Sequence, residues 1–289
     1  MSIFSFGLCT SLDDQIICFS LTIFCNFLYQ NLYISLTSMD SDFYYNFVEP
    51  DEAIAYFVEN IGTFHNLSDT PKEVVIIPDG RVDLFFSQSP TEVFHITLLG
   101  LETYPEQRLI SPHTTAFIIS FKPLAVEYIL KTSIADLLNT GKDLPNDFWD
   151  FNSDDLQDFD ACCVKAIKKL KELIPLKIDA RKRKLFELIY TSKGEMSVKD
   201  LSESTGWSSR QINRYFRKQL GLSLKAYSTI LRFRASLEHI AKGKLFPELN
   251  YTDQNHFIKE VKKFSGVAPK ELSKNQNDRF VLLSVLKGK

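Results

Sequence analysis

Two stretches of this 289-residue chain carry one pattern forty-five positions apart. Ile212, Arg214, Phe216, Arg217, Lys218 and Gly221 in the first correspond to Phe257, Lys259, Val261, Lys262, Lys263 and Gly266 in the second. Apolar side chains four residues apart with basic ones between them read as an amphipathic helix. A glycine just past the last turn ends it. Repetition at such a period means one supersecondary unit used twice, so this region has to fold as two copies of a short helical module.

The formal net charge of -2 conceals a segregation of sign. Residues 181–289 hold 23 Lys+Arg against 10 Asp+Glu, a balance of +13, and residues 1–180 hold 11 against 26, a balance of -15. A polyanion is attracted to one end of such a molecule and repelled by the other. The length suits two domains, each large enough for its own core, and the composition is that of a globular protein. We place the boundary at Pro175, giving an N-terminal domain at 39–174 and a basic domain at 175–289.

The five cysteines form no metal or disulfide framework: Cys9, Cys18 and Cys25 are scattered, Cys162 and Cys163 are vicinal, and no CxxC occurs. A reducing compartment follows, and with it a cytoplasmic location. Residues 16–36 are apolar enough to raise the question of a membrane or export segment. The first Lys or Arg is Lys72, so neither a signal peptide's basic start nor an anchor's basic flank is present. The preferred reading makes 1–38 a hydrophobic leader outside the functional protein, which starts at Met39. A membrane segment and a structured extension remain the alternatives.

Residues 51–60 have helix-like spacing. Glu73–Ile77 and Val82–Phe86 flank Pro78-Asp79-Gly80 as a β-hairpin, and Val93–Leu99 and Thr115–Phe121 add strands. One or two helices follow Pro123 and end near Gly141, and another runs from Asp154 to Ile174. The chain is therefore α+β, with a β-rich, barrel-like N-terminal domain carrying helices, and an all-α C-terminal domain with two helix-turn-helix units. His65, His95 and His113 match no compact ligand spacing, so no metal and no cofactor is expected. Cys162 and Cys163 fall on an amphipathic pattern as packing residues rather than nucleophiles.

In the basic region Ser197 caps a helix bearing Val198 and Leu201, with the small Ser202 at a helix crossing. Gly206 makes the turn four residues later, Trp207 packs it, and Ser208 and Ser209 cap a second helix bearing Ile212, Phe216 and Leu220. This is helix-turn-helix spacing. Arg210, Gln211, Asn213, Arg214 and Arg217 lie off its apolar stripe and suit base edges and phosphates. In the second copy Asn250 holds the turn, Thr252 or Asp253 caps, and Gln254, Asn255, His256, Lys259, Lys262 and Lys263 face outward. Pro247 leaves its first helix short, so this copy positions the protein on phosphates more than it reads bases. Leu224–Lys242 forms one helix of about 28 Å between the copies. Two readers on such a strut reach successive major-groove segments about one duplex turn apart.

Residues 183–280 resemble the AraC/XylS family of bacterial transcription regulators. The resemblance rests on Leu201-Ser-Glu-Ser-Thr-Gly-Trp207, Arg214-Tyr-Phe-Arg-Lys-Gln-Leu-Gly221, Arg232-x-Arg234-Ala235, Asn250-Tyr-Thr-Asp-Gln-Asn-His-Phe257 and Phe264-Ser-Gly-Val-Ala-Pro269. It implies base contacts at Arg210, Asn213 and Arg214, and at Gln254, Asn255 and Lys259. The wider DNA-facing set is Ser208, Ser209, Gln211, Arg217, Thr252, His256, Lys262 and Lys263. Pro78-Asp79-Gly80 with Val82–Phe86, and Phe121-Lys-Pro123, are similar to the sensor domains of such regulators. What the resemblance implies is a sequence-specific regulator, not an enzyme, with double-stranded DNA as partner and a small-molecule effector on the N-terminal domain. A homodimer, and RNA polymerase for an activator, complete the partners. The rival reading is an enzyme fused to a DNA-binding tail, using either the three histidines or a cysteine acceptor.

Overall fold

A computed structural model describes residues 42–246, 251 and 253–287. The expectations for residues 1–38 and 247–249, and for Asn250 and Thr252, fall outside those residues.

The N-terminal half is built on an open six-stranded antiparallel sheet. Its strands are β1 (Phe43–Val48), β2 (Val58–Asn66), β4 (Val82–Gln88), β5 (His95–Leu99), β7 (Thr115–Phe121) and β8 (Gly141–Leu144), in the order β1-β2-β7-β4-β5-β8. β3 (Lys72–Ile76) and β6 (Glu106–Ile110) pair separately. The large sheet is not closed into a barrel, since β1 and β8 are its two edges. Val82, Leu84 and Phe86 alternate inward along β4 and are fully buried, as the two-residue period of a strand with one covered face requires. Phe86 packs against Phe151 with ring centroids 4.5 Å apart, and Phe117 lies beside both. Each such buried ring contributes about 1.5–3 kcal/mol.

Two local expectations fail here. The hairpin about Pro78-Asp79-Gly80 does not form: β3 pairs with β6, and β4 lies between β5 and β7. The connecting segment is held by tertiary contacts. The Asp79 side chain accepts from the Arg81 backbone N–H at 2.9 Å and pairs with the Arg81 guanidinium, while the Gly80 carbonyl accepts from the Tyr227 hydroxyl at 3.1 Å. Nor is 51–60 a helix. Asp51 supports a short turn, with its carbonyl accepting from Ile54 and Ala55, and the chain then joins β2, whose ladders to β1 and β7 outweigh the helical spacing.

Helices begin with α1 (Leu124–Tyr128), after Pro123. α2 (Phe159–Leu173) starts later than the sequence suggests, because a 3₁₀ turn at Ser153–Gln157 precedes it; Asp158 caps it, and it stops before Pro175. α3 (Ala180–Thr191), α4 (Val198–Thr205), α5 (Ser209–Leu220), α6 (Leu224–Ala241), α7 (Gln254–Ser265), α8 (Pro269–Lys274) and α9 (Val281–Lys287) complete the helical half. One apolar core runs from the sheet through α1 and α3 to α6 and α7. The α9 region returns to the β-rich half, where the Arg279 carbonyl accepts the Val75 N–H at 2.7 Å. Among the described residues, no helix is long and apolar enough to cross a membrane.

Candidate nucleic-acid interface

The α4-turn-α5 unit forms as its local chemistry dictates. Ser197 Oγ accepts from the Asp200 N–H at 3.1 Å, and Gly206 takes a left-handed turn at φ 65°, which side-chain-bearing residues adopt at a cost. Ser208 then caps α5 in a reciprocal box with Gln211. Trp207 lies between the Arg181 guanidinium, 5.4 Å from its ring, and Tyr215, whose ring is also 5.4 Å away. Ile212, Phe216 and Leu220 are buried, so the opposite face of α5 presents Arg210, Gln211, Arg214, Arg217 and Lys218 to solvent.

Ion pairing distinguishes this face from the rest of the molecule. Of the ten arginines, Arg81, Arg108, Arg181, Arg183, Arg232, Arg234 and Arg279 each pair with a carboxylate. The remaining three, Arg210, Arg214 and Arg217, are all on α5 and make no ion pair among the described residues. No acidic residue interrupts that helix. Guanidinium groups left without an internal partner keep their bidentate donors for an external one.

The other predicted residues divide. Ser208 and Ser209 are at the helix start, with Ser208 occupied as the cap. Gln211 spends its amide oxygen on the Ser208 N–H at 3.0 Å. Asn213, expected at a base, is turned inward: its amide donates to the Ser209 carbonyl at 3.0 Å and accepts from the Leu224 N–H at 3.2 Å. On α7 Asp253 is the cap, accepting from the His256 N–H at 2.8 Å. Gln254, Asn255, Lys259, Lys262 and Lys263 are exposed, and Lys263 also lies 4.8 Å from the Phe264 ring. His256 is half-buried, with Glu260 3.7 Å away.

Two anchoring devices escaped the sequence reading. α7 is held to α6 by Arg232, bonded to Glu260 at 2.7 Å; that carboxylate is 7% exposed, and the guanidinium also covers the Tyr251 ring. The signal was there, since Glu260 is the lone acid in a basic run. α5 is seated on the β-rich half instead. Tyr215 donates to Glu127 at 2.9 Å, Lys182 pairs with the same carboxylate at 2.5 Å, and the carbonyls of Lys218 and Gln219 accept from the Ser133 hydroxyl at 2.7 Å and the Ile134 N–H at 2.9 Å. Gly221 belongs to this seat, because a Cβ there would stand 2.6 Å from the Ala135 carbonyl oxygen. Nothing local in the sequence announces a contact 88 residues apart.

A cavity of about 470 Å³ is lined by Arg234 of α6 and by side chains of β1, β2, β4 and β7. Arg234 of α6 reaches into it and pairs with Glu59, with Lys122 3.8 Å from the same carboxylate. Burial opposes the charge on Glu59, but Arg234, Arg81 and Lys122 outweigh it and hold its carboxyl below the usual range. Asn60 Oδ1 and Asp83 Oδ1 are buried there without a protein hydrogen-bond partner. Burial, and then the charge of Asp79, raise Asp83 to about 6. Glu102 is raised to about 8 by burial and by the charges of Asp83 and Asp79.

The enzyme readings find little support in these positions. Cys162 and Cys163 are 2% and 4% exposed in the core, and burial pushes the Cys163 thiol up to about 12, so it stays protonated at neutral pH. His65 lies between Thr63 and Thr115, His95 on Ser87, and His113 on Asp69. Among the described residues no group of three metal-binding side chains converges.

The fold and this face define a protein with a β-rich N-terminal half and a helical C-terminal half presenting two capped cationic helices on one connecting helix. A family model described as a domain of unknown function (DUF6597) matches residues 46–143. No curated protein matches. Solved structures that the chain matches include ToxT from Vibrio cholerae in a P21 crystal form, at 12% identity and TM-score 0.41, over 72% of this chain and 95% of that one. ToxT from Vibrio cholerae O395 matches at 11% identity and TM-score 0.41, over 82% and 99%. Unsaturated fatty acid bound wild-type ToxT from strain SCE256 matches at 13% identity and TM-score 0.35, over 80% and 95%.

Proposed function

We propose that this chain is a sequence-specific, double-stranded-DNA-binding transcription regulator whose β-rich half, up to residue 174, modulates a DNA-binding domain at 175–289. The observation that carries it is the trio of arginines on a capped helix that make no ion pair among the described residues, where the other seven arginines each do. Arg210 and Arg214 read base edges and Arg217 reaches phosphate. α7 adds Gln254, Asn255 and Lys259 at bases, and Lys262 and Lys263 on phosphates. Ser208, Ser209 and His256 border the two readers, and Thr252 belongs to the same proposed DNA-facing set.

The cavity supports the regulatory part of this reading. It joins buried polar atoms without protein partners to Arg234 on the helix that carries both readers, so a small-molecule effector seated there bears on their placement. A homodimer, contact with RNA polymerase and a cytoplasmic location belong to the same reading. The test is selection of bound sequences from a random duplex pool by the intact chain, at about 0.15 M salt with bulk competitor. An enriched operator supports the proposal, and an unenriched pool refutes it.

A further inference from the structure

We infer that Asn213 is a positioning residue that sets the angle between α5 and α6, and does not read a base. The inference rests on the DNA-reading proposal for α5. Asn213 stands on the first reader between Arg210 and Arg214, where an amide suits an adenine edge. Its amide is already committed at both ends, to the Ser209 carbonyl through Nδ2 and to the Leu224 N–H through Oδ1. Rotating the amide by half a turn sets Nδ2 against an N–H and Oδ1 against a carbonyl, so the donor and acceptor assignment has no alternative.

The Leu224 end matters more. Leu224 opens α6, where a helix has no internal acceptor for its first N–H groups. The cap Ser223 takes the Ala226 N–H at 3.2 Å and leaves that of Leu224 to Asn213. Leu224 is 0% exposed, so water is a poor substitute. To reach a base, Asn213 would surrender both bonds and orphan a buried donor. The outcome is a polar hinge pin: a side chain of the reader helix caps the connecting helix, just as Glu260 of α7 grips Arg232 of the same helix. Arg210 and Arg214 then carry the base reading of the first unit.

Three readouts on the intact chain test this. In Asn213→Ala, amide exchange at Leu224 should speed up by about 3- to 10-fold, the worth of one net hydrogen bond. The ratio of operator to bulk-DNA affinity should fall by a similar factor, with the base preferences of the selected operator unchanged at every position. Asn213→Asp keeps the Oδ1 acceptor but loses the amide donor; its added charge repels operator and bulk DNA alike, so the affinity ratio should return toward wild type. Loss of preference at a single base position in either variant overturns the inference, as does unchanged Leu224 exchange in Asn213→Ala. Failure of the DNA-reading proposal itself is distinguishable, because the wild-type chain would then select no operator while the exchange result still reports on the bond.

Discussion

The two cationic helices are alike in length and capping, but they are anchored differently. α5 leans on the β-rich half through Glu127, Ser133 and Ile134, and its outward face is arginine. α7 is gripped by Arg232 of α6, and its outward face is lysine with two amides. Guanidinium offers a planar fork that matches guanine, and ammonium is a compact point charge. Under the proposed function, the difference gives base reading chiefly to α5 and adhesion chiefly to α7. It also gives the β-rich half a direct hold on the more discriminating reader.

The largest expected effect breaks the α7 anchor. Arg232→Ala leaves the buried Glu260 carboxylate without its guanidinium partner, and should cost about 3–5 kcal/mol of stability, read by urea unfolding. If stability falls by less than a surface pair is worth, the grip is not structural. Next, a pH series separates the two halves, because the carboxylates raised by burial, Asp83 and Glu102, both lie in the β-rich one. Glu102 binds its proton in the folded state up to about pH 8 and in the unfolded state only up to its ordinary 4.5. Its stabilising contribution is therefore full below about pH 4.5 and lost as pH rises through 8, by up to a few kcal/mol. Glu102→Gln should flatten the stability profile across that window; an unaltered slope would mean that other groups govern it.

Smaller effects sharpen the contrast. Glu127→Gln removes the charge shared by Lys182 and Tyr215, and should loosen α5 by about 1 kcal/mol in amide exchange while leaving α7 unaffected. Equal loosening of both helices would deny the separate anchorage. Smallest is Lys262→Ala, which should weaken every DNA sequence alike and reduce the salt slope by about one unit. A base-specific change there would move α7 into the reading class.

What could be foreseen from the residues was what is local. Ser197, Ser208 and Asp253 as caps, Gly206 as the turn and the uninterrupted α6 follow from interactions within four residues along the chain, and all stand as expected. Strand partners are chosen by distant segments. That is why Thr115–Phe121 reads as a strand from its own residues, while neither the hairpin expected between β3 and β4 nor the helix expected after Asp51 forms. The face of α5 was readable from its periodicity. Its two most informative details were not: the pairing of every other arginine, and the commitment of Asn213 to Leu224, arise only when segments far apart in sequence come together.

The proposed reading of bases by Arg210 and Arg214 of α5 is tested most directly by selecting operators with wild type and Arg214→Ala side by side. Two half-sites about one duplex turn apart should emerge from wild type. Arg214→Ala should lose preference at one base position, with a penalty of about 1–3 kcal/mol for the wild-type operator. Identical motifs and affinities from the two proteins would contradict the account.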